Sequence, residues 1–301
     1  MAVTKSVIVT GAGSFLGEYV LKALDAAEID TIALSRQAVA ACRRYGLSAR
    51  VKPVDVDLSA PRLNWSLPLD RPHTIINLAF DRMVANSSAH GAEINERLTR
   101  NVLRLCRASK DSKIVNASSM SVYGKPEGGL VSEDTAPLFP SDYGIAKLQA
   151  EQLFADAPEV VSAVSIRLPA LLGRDAHSEN WLVRVAQSLI QNEDLTYSSP
   201  DFRFNNAVMA SDVAMFFVGL AMRDTLPPDV RVPIGSAPGP CLADILEQMR
   251  SDLNSKSRLK ILPSKTSSFG IDNSAAKKLG YRPRDVMETI KLFVQDFAQN
   301  A

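Results

Sequence analysis

The chain has 301 residues, 46% hydrophobic and 22% charged, with 34 Lys and Arg against 33 Asp and Glu. That length can bury a large core in one big domain or two intimate ones, and the composition excludes disorder. A formal net charge of +1, with no Lys/Arg block longer than two residues, argues against nucleic acid or an anionic membrane as partner.

No apolar run reaches the length of a bilayer span, and no basic-then-apolar leader opens the sequence, so a cytoplasmic setting is expected. Cys42, Cys106 and Cys241 are odd in number and lack metal-ligand spacing; they read as reduced, buried small hydrophobes. His73, His90 and His177 are scattered, and no metal site is expected.

Strand-length apolar runs are predicted at 6–10, 31–34, 49–54, 74–78, 113–116 and 161–168. Helical stretches are predicted between them at 15–26, 93–108 and 142–155. The alternation implies an α/β fold with a doubly wound parallel sheet. In the helix at 93–108, Ile94, Leu98, Val102 and Leu105 form the stripe that packs on the sheet. Arg97, Arg100, Arg104 and Arg107 read as its solvated face. After Leu168 the pattern loosens into a loop at 173–180, a helix at 181–190 and a polar, Pro-interrupted stretch at 198–206. A helix at 211–222, capped by Ser211, and a strand at 230–234 return the chain to the main sheet. Helices near 241–252, 273–279 and 285–298 complete the chain.

The first strand ends in Thr10-Gly11-Ala12-Gly13-Ser14-Phe15-Leu16-Gly17. Gly11 can take positive φ and let the backbone approach a pyrophosphate, and the helix beginning near Ser14 aims free N–H groups at that charge. Gly17 allows close packing on the sheet. The second strand ends in Ser35-Arg36, a hydroxyl and a guanidinium where an NAD site usually has an acid. That pair suits a 2′-phosphate, so NADP is expected, with NAD the alternative.

Further on, Tyr143 and Lys147 stand one turn apart on a helix that starts at Ser141. An ammonium beside a phenol is expected to lower the phenol pKa and ready it for proton transfer. Ser118-Ser119 follows a strand end, and the Ser119 hydroxyl can hydrogen-bond a reacting oxygen. Together, dinucleotide loop, hydroxyl, phenol and ammonium are what a coupled hydride and proton transfer needs.

In this order the motifs resemble the extended short-chain dehydrogenase/reductases of the nucleotide-sugar epimerase/dehydratase type, over nearly the whole chain. Asp55-Val56-Asp57-Leu58, Asn77-Leu78-Ala79, Asn95, Arg167-Leu168-Pro169, Ser211-Asp212-Val213-Ala214 and Ala276-Lys277-Lys278-Leu279-Gly280-Tyr281-Arg282-Pro283 match further family landmarks. The resemblance implies a Rossmann core over 1–168, with 205–235 returning to it, and a small C-terminal α/β substrate-binding domain from 169–204 and 236–301. It makes Ser119, Tyr143 and Lys147 catalytic. It places the cofactor on Gly11, Gly13, Ser14, Phe15, Leu16, Gly17, Ser35, Arg36, Asp57, Leu58, Ala79, Asn95, Ser118, Tyr143, Lys147 and Pro169.

The chain also departs from the family pattern. Ser14 replaces the usual middle Gly, and Met120-Ser121 stands where the dehydratases carry an acidic pair, which argues against water elimination. Ala170 stands where Asn is common, and Asn205 where an Arg usually grips the substrate diphosphate; Arg174 or Arg203 is then expected to take over that grip beside Ser119. The resulting expectation is an NADPH-dependent reductase of a keto group, foremost of a 4-keto nucleotide sugar. The alternatives are a nucleotide-sugar 4-epimerase with retained NAD, or a reductase of a non-sugar ketone or aldehyde. A cofactor sensor without turnover would have no need of the Ser/Tyr/Lys set. The resemblance also implies a homodimer built on the helices near 93–108 and 142–155.

Overall fold

The computed structural model describes residues 6–63, Leu67, Leu69, 73–82, 89–109, 112–158, 160–263 and 268–299. Residues 1–5, where a leader would begin, and the His90 side chain lie outside the described residues. In chain order the elements are β1 (Ser6–Thr10), α1 (Phe15–Ala26), β2 (Asp30–Ser35), α2 (Ala38–Tyr45), β3 (Val51–Asp55), β4 (Thr74–Asn77), α3 (Ala89–Ala108) and β5 (Ser112–Ser119). There follow β6 (Gly129–Val131), α4 (Asp142–Ala155), β7 (Val160–Leu168), β8 (Ala170–Leu172), α5 (Trp181–Ile190), β9 (Leu195–Tyr197), β10 (Ala207–Met209) and α6 (Ala210–Ala221). The last are β11 (Asp229–Pro233), α7 (Leu242–Asp252), β12 (Leu259–Ile261), β13 (Phe269–Ile271), α8 (Ser274–Lys278) and α9 (Val286–Ala298).

The chain divides into two compact units: Met1–Lys125 with Ala136–Arg167 and Ala214–Val232, and Pro126–Thr135 with Leu168–Val213 and Pro233–Ala301. This division differs from the expected one in two places. The segment 126–135 joins the second unit because β6 pairs in parallel with β13, and the return to the first unit narrows to Ala214–Val232.

The first unit is built on a seven-stranded sheet in the order β11-β7-β5-β4-β1-β2-β3, a doubly wound α/β architecture. The apolar run Val7-Ile8-Val9 places β1 centrally, where both faces are covered and every residue is buried. Its parallel neighbours are β2 on one side and β4 on the other. The winding direction reverses between β1 and β4, so a crevice opens at their carboxyl ends, where open α/β sheets bind ligands. On one face of the sheet, Leu98, Val102 and Leu105 of α3 and Phe154 of α4 pack with Ile8, Ile75 and Ile114. Burial of each such side chain contributes about 1.5–3 kcal/mol.

The second unit has its own core, in which Leu182 and Leu189 of α5, Ile245 and Met249 of α7 and Ile290 and Phe293 of α9 meet. Two further parallel ladders, β8 with β10 and β9 with β12, belong to it. Two sequence expectations need correction here. The helix expected to be capped by Ser211 begins at Ala210, directly after β10, so Ser211 lies inside it. Cys241 is half-buried rather than buried, and its thiol donates to the Asp244 carboxylate at 3.0 Å. Among the described residues, no helix is long and apolar enough to cross a membrane.

Candidate active site

At the switch point, Gly11 adopts φ +69° and a Cβ there would lie 2.7 Å from the Ala79 nitrogen. Only glycine lets β1 turn this close to the chain leaving β4. Ser14 caps α1, its hydroxyl accepting the Gly17 N–H at 3.1 Å. Gly13 and Ser14 are exposed at that helix start, facing a cleft of about 570 Å³. Gly11, Gly13, Ser14, Ser35, Arg36, Asp57, Leu58 and Ala79 all line it. Phe15, Leu16 and Gly17 lie behind, in the first turn of α1, with Leu16 and Gly17 buried.

The cleft also draws on residues that the sequence motifs do not mark. Arg44, from the last turn of α2, lines it, its guanidinium 5.0 Å from the centre of the Tyr45 ring. The C-cap Gly46 at φ +68° was the available signal for that helix. Asp57 accepts both the Ser59 hydroxyl and the Ser59 N–H. That hydroxyl, helped by the Ser59 N–H and by Arg36 and Arg97, holds the carboxyl below its usual range despite some burial. Asn101 clamps this loop, donating to the Leu58 and Ala60 carbonyls at 2.8 and 3.0 Å.

Asn95, expected on the cofactor, fastens the chain after β4: it donates to the Asp81 carbonyl at 3.0 Å and accepts the Asp81 N–H at 2.9 Å. It shapes the cleft from behind. Phe80 connects the cleft to the Tyr143–Lys147 pair. It lines the one, while its ring meets Tyr143 edge-on at 5.3 Å and lies 4.0 Å from the Lys147 ammonium.

Ser141 caps α4 by accepting the Gly144 N–H at 3.3 Å. A Cβ at Gly144 would lie 2.2 Å from the Ser121 carbonyl oxygen, so glycine lets α4 press against the turn at Met120–Tyr123. That approach brings the Tyr143 phenol near enough to the Ser119 hydroxyl for the hydroxyl to favour the ionised phenol. The expectation of an acidified phenol is overturned. Burial raises the Tyr143 pKa, and the opposing pulls of Ser119 and Arg82 do not cancel it. The Lys147 ammonium sits 5.9 Å from the centre of the ring and donates to the Ala117 carbonyl at 2.8 Å.

Lys147 itself is pushed by burial down to about 7, against an upward pull from Glu151. Between about pH 7 and its ordinary 10.5 the unfolded chain therefore binds the extra proton, so stability rises with pH across that window, by a few kcal/mol in all. Lys147→Met is expected to lack this rise, as read by denaturant unfolding of both proteins at pH 7 and pH 10. Equal gains in both would place the Lys147 ammonium in water.

The remaining expected contacts are placed as follows. The Ser118 hydroxyl donates to the buried Glu151 carboxylate. Pro169 and Ala170 are half-buried at the start of β8, in the second unit. Arg174 and Arg203, in the same unit, are exposed. Asn205 is buried and fully engaged: it donates to the Ile271 and Ser236 carbonyls and accepts the Ile271 N–H at 2.9 Å. Its amide joins three stretches of backbone.

A model of the NAD dependent epimerase/dehydratase family matches residues 7–215. UDP-glucose 4-epimerase of Azospirillum brasilense is 32% identical over 162 residues, covering 52% of this chain and 45% of that protein. The chain thus spans about half the length of the curated relative it matches. Among solved structures, UDP-glucuronic acid 4-epimerase from Bacillus cereus, in complex with UDP-glucuronic acid and NAD, superposes with a TM-score of 0.78 at 18% identity. It covers 98% of this chain and 100% of that one. UDP-glucose 4-epimerase from Thermus thermophilus, in complex with NAD, gives 0.74 at 19% identity, covering 98% and 100%. At these identities the likeness is one of fold.

Proposed function

Because the chain belongs to the NAD-dependent epimerase/dehydratase family, we propose that it is an NADPH-dependent reductase of a keto group, foremost of a 4-keto nucleotide sugar. The observation that carries the choice of cofactor is the rim of the cleft after β2. Ser35, Arg36 and Arg44 stand together there, and the carboxylate of Asp57 is held by Ser59. Two guanidiniums and a hydroxyl suit a 2′-phosphate dianion better than a 2′-hydroxyl.

The cleft fits a dinucleotide: its volume falls within the usual range for cofactor sites, and Gly13 and Ser14 offer exposed backbone at a helix N-terminus for the pyrophosphate. When bound, the nicotinamide supplies the hydride. Tyr143, kept protonated by its buried setting, gives its phenolic proton to the carbonyl oxygen, and Ser119 hydrogen-bonds that oxygen. Lys147, fixed on the Ala117 carbonyl, adds positive charge beside the phenol as negative charge develops there. For substrate binding we propose Arg174 and Arg203, whose charge suits a diphosphate and which are exposed where Asn205 is not. Ala170 and Pro169 begin the same unit and are proposed to border the bound molecules.

The second reading, a 4-epimerase with retained NAD, is favoured by the 32% identity to a UDP-glucose 4-epimerase. Fluorescence titration of the purified protein with NADPH and with NADH tests the choice. At least tenfold tighter binding of NADPH is expected; NAD that survives purification and does not exchange would favour the epimerase.

A further inference from the structure

Behind the Tyr143–Lys147 pair lies a buried ionic assembly. Arg167 of β7 grips Glu151 of α4 through two hydrogen bonds, Nε to Oε1 at 3.1 Å and a terminal nitrogen to Oε2 at 2.9 Å. Both side chains are almost wholly out of solvent. The guanidinium lies 4.8 Å from the centre of the Tyr123 ring, which backs it. Glu151 also accepts the Ser118 hydroxyl, and so fastens the end of β5. That strand end carries two further groups. The Ala117 carbonyl, one residue before, holds Lys147, and the Ser119 hydroxyl, one residue after, acts on the Tyr143 phenol.

We propose that Glu151 is a positioning residue: its carboxylate, one helical turn beyond Lys147, supplies negative charge on the ammonium's side of the helix and sets the strand end that aligns Lys147 and Ser119 on Tyr143. This rests on the oxidoreductase reading for its purpose, but not for its test. A buried ion pair contributes little net stability, because desolvation of the two charges offsets their attraction. Stability alone is thus a poor reason for Arg167 and Glu151 to lie here. Tyr143 and Glu151 share the Lys147 helix, Arg167 of β7 meets Glu151, Tyr123 in the turn after β5 backs Arg167, and Arg82 lies 5.8 Å from the centre of the Tyr143 ring. Among these described groups Glu151 is the only carboxylate, and it alone pulls the ammonium toward its charged form.

Lysine side-chain ¹⁵N NMR titrates Lys147 directly in the full-length protein, with the signal assigned by its loss in Lys147→Met. A wild-type midpoint near 7 is expected, falling by at least one pH unit in Glu151→Gln. If Glu151→Gln does not fold, the paired replacement Glu151→Leu with Arg167→Met removes both charges without stranding either, and the midpoint should still fall. Where a reduction assay is available, the alkaline limb of kcat/KM should move down with it. A Lys147 midpoint that either folded variant leaves in place overturns the proposal. This readout needs no turnover, so an inactive wild-type protein would refute the functional reading while the role of Glu151 is still decided.

Discussion

Tyr143→Phe is expected to lower kcat by about 10²–10⁴, the usual contribution of a positioned proton donor. Cofactor affinity should stay close to that of the wild type. The substitution deletes one oxygen and keeps the ring, so the edge-on contact with Phe80 at 5.3 Å is retained. What goes is the phenolic proton and the partner of Ser119. Steady-state rates with a keto substrate, beside fluorescence titration of NADPH, separate the two effects. Half the wild-type rate in the variant would take the donor role from Tyr143.

Arg36→Asp is expected to swing cofactor preference toward NADH. A hydrogen bond from a guanidinium to a phosphate contributes about 1.5–3 kcal/mol, and the exposure of Arg36 places it at the low end, roughly tenfold in affinity. The carboxylate would also repel the 2′-phosphate and accept from a 2′-hydroxyl, as NAD sites do. The combined change in the ratio of kcat/KM for NADPH over NADH is expected to reach about a hundredfold at fixed salt. The Arg44 guanidinium, on the same rim, would keep some preference for the phosphate. An unchanged ratio would return Arg36 to the solvated surface and bring NAD, and the epimerase reading, to the front.

The central architecture was legible because its signals are periodic. The strand at Ser6–Thr10 and the helices at Phe15–Ala26 and Asp142–Ala155 lie where the apolar runs and caps place them. The ladders of β6, β8, β9, β10, β12 and β13 were not, since strands of three residues have no room to display an alternation. Helix α2 escaped although Ala38, Ala41, Cys42 and Tyr45 recur at helical spacing, because eight residues with mostly small apolar side chains give a short signal. The spacing of Tyr143 and Lys147 was readable, but the balance of burial against charge that sets their pKa values is a property of packing. Glu151, four residues after Lys147, has the spacing of an ordinary surface pair on a helix. Only the fold reveals that Arg167 meets it in the interior.

Isotope transfer from the cofactor decides between reduction and epimerisation. The wild-type protein is incubated with a 4-keto nucleotide sugar and NADPH carrying two deuterons at the hydride-donating carbon, and the product is weighed by mass spectrometry. A reductase yields a carbinol bearing one carbon-bound deuteron, formed one-for-one with free NADP⁺, and this is the expected result. A ketone left unreduced by the added NADPH, while a 4-hydroxy nucleotide sugar supplied in its place is converted to its stereoisomer, would contradict it.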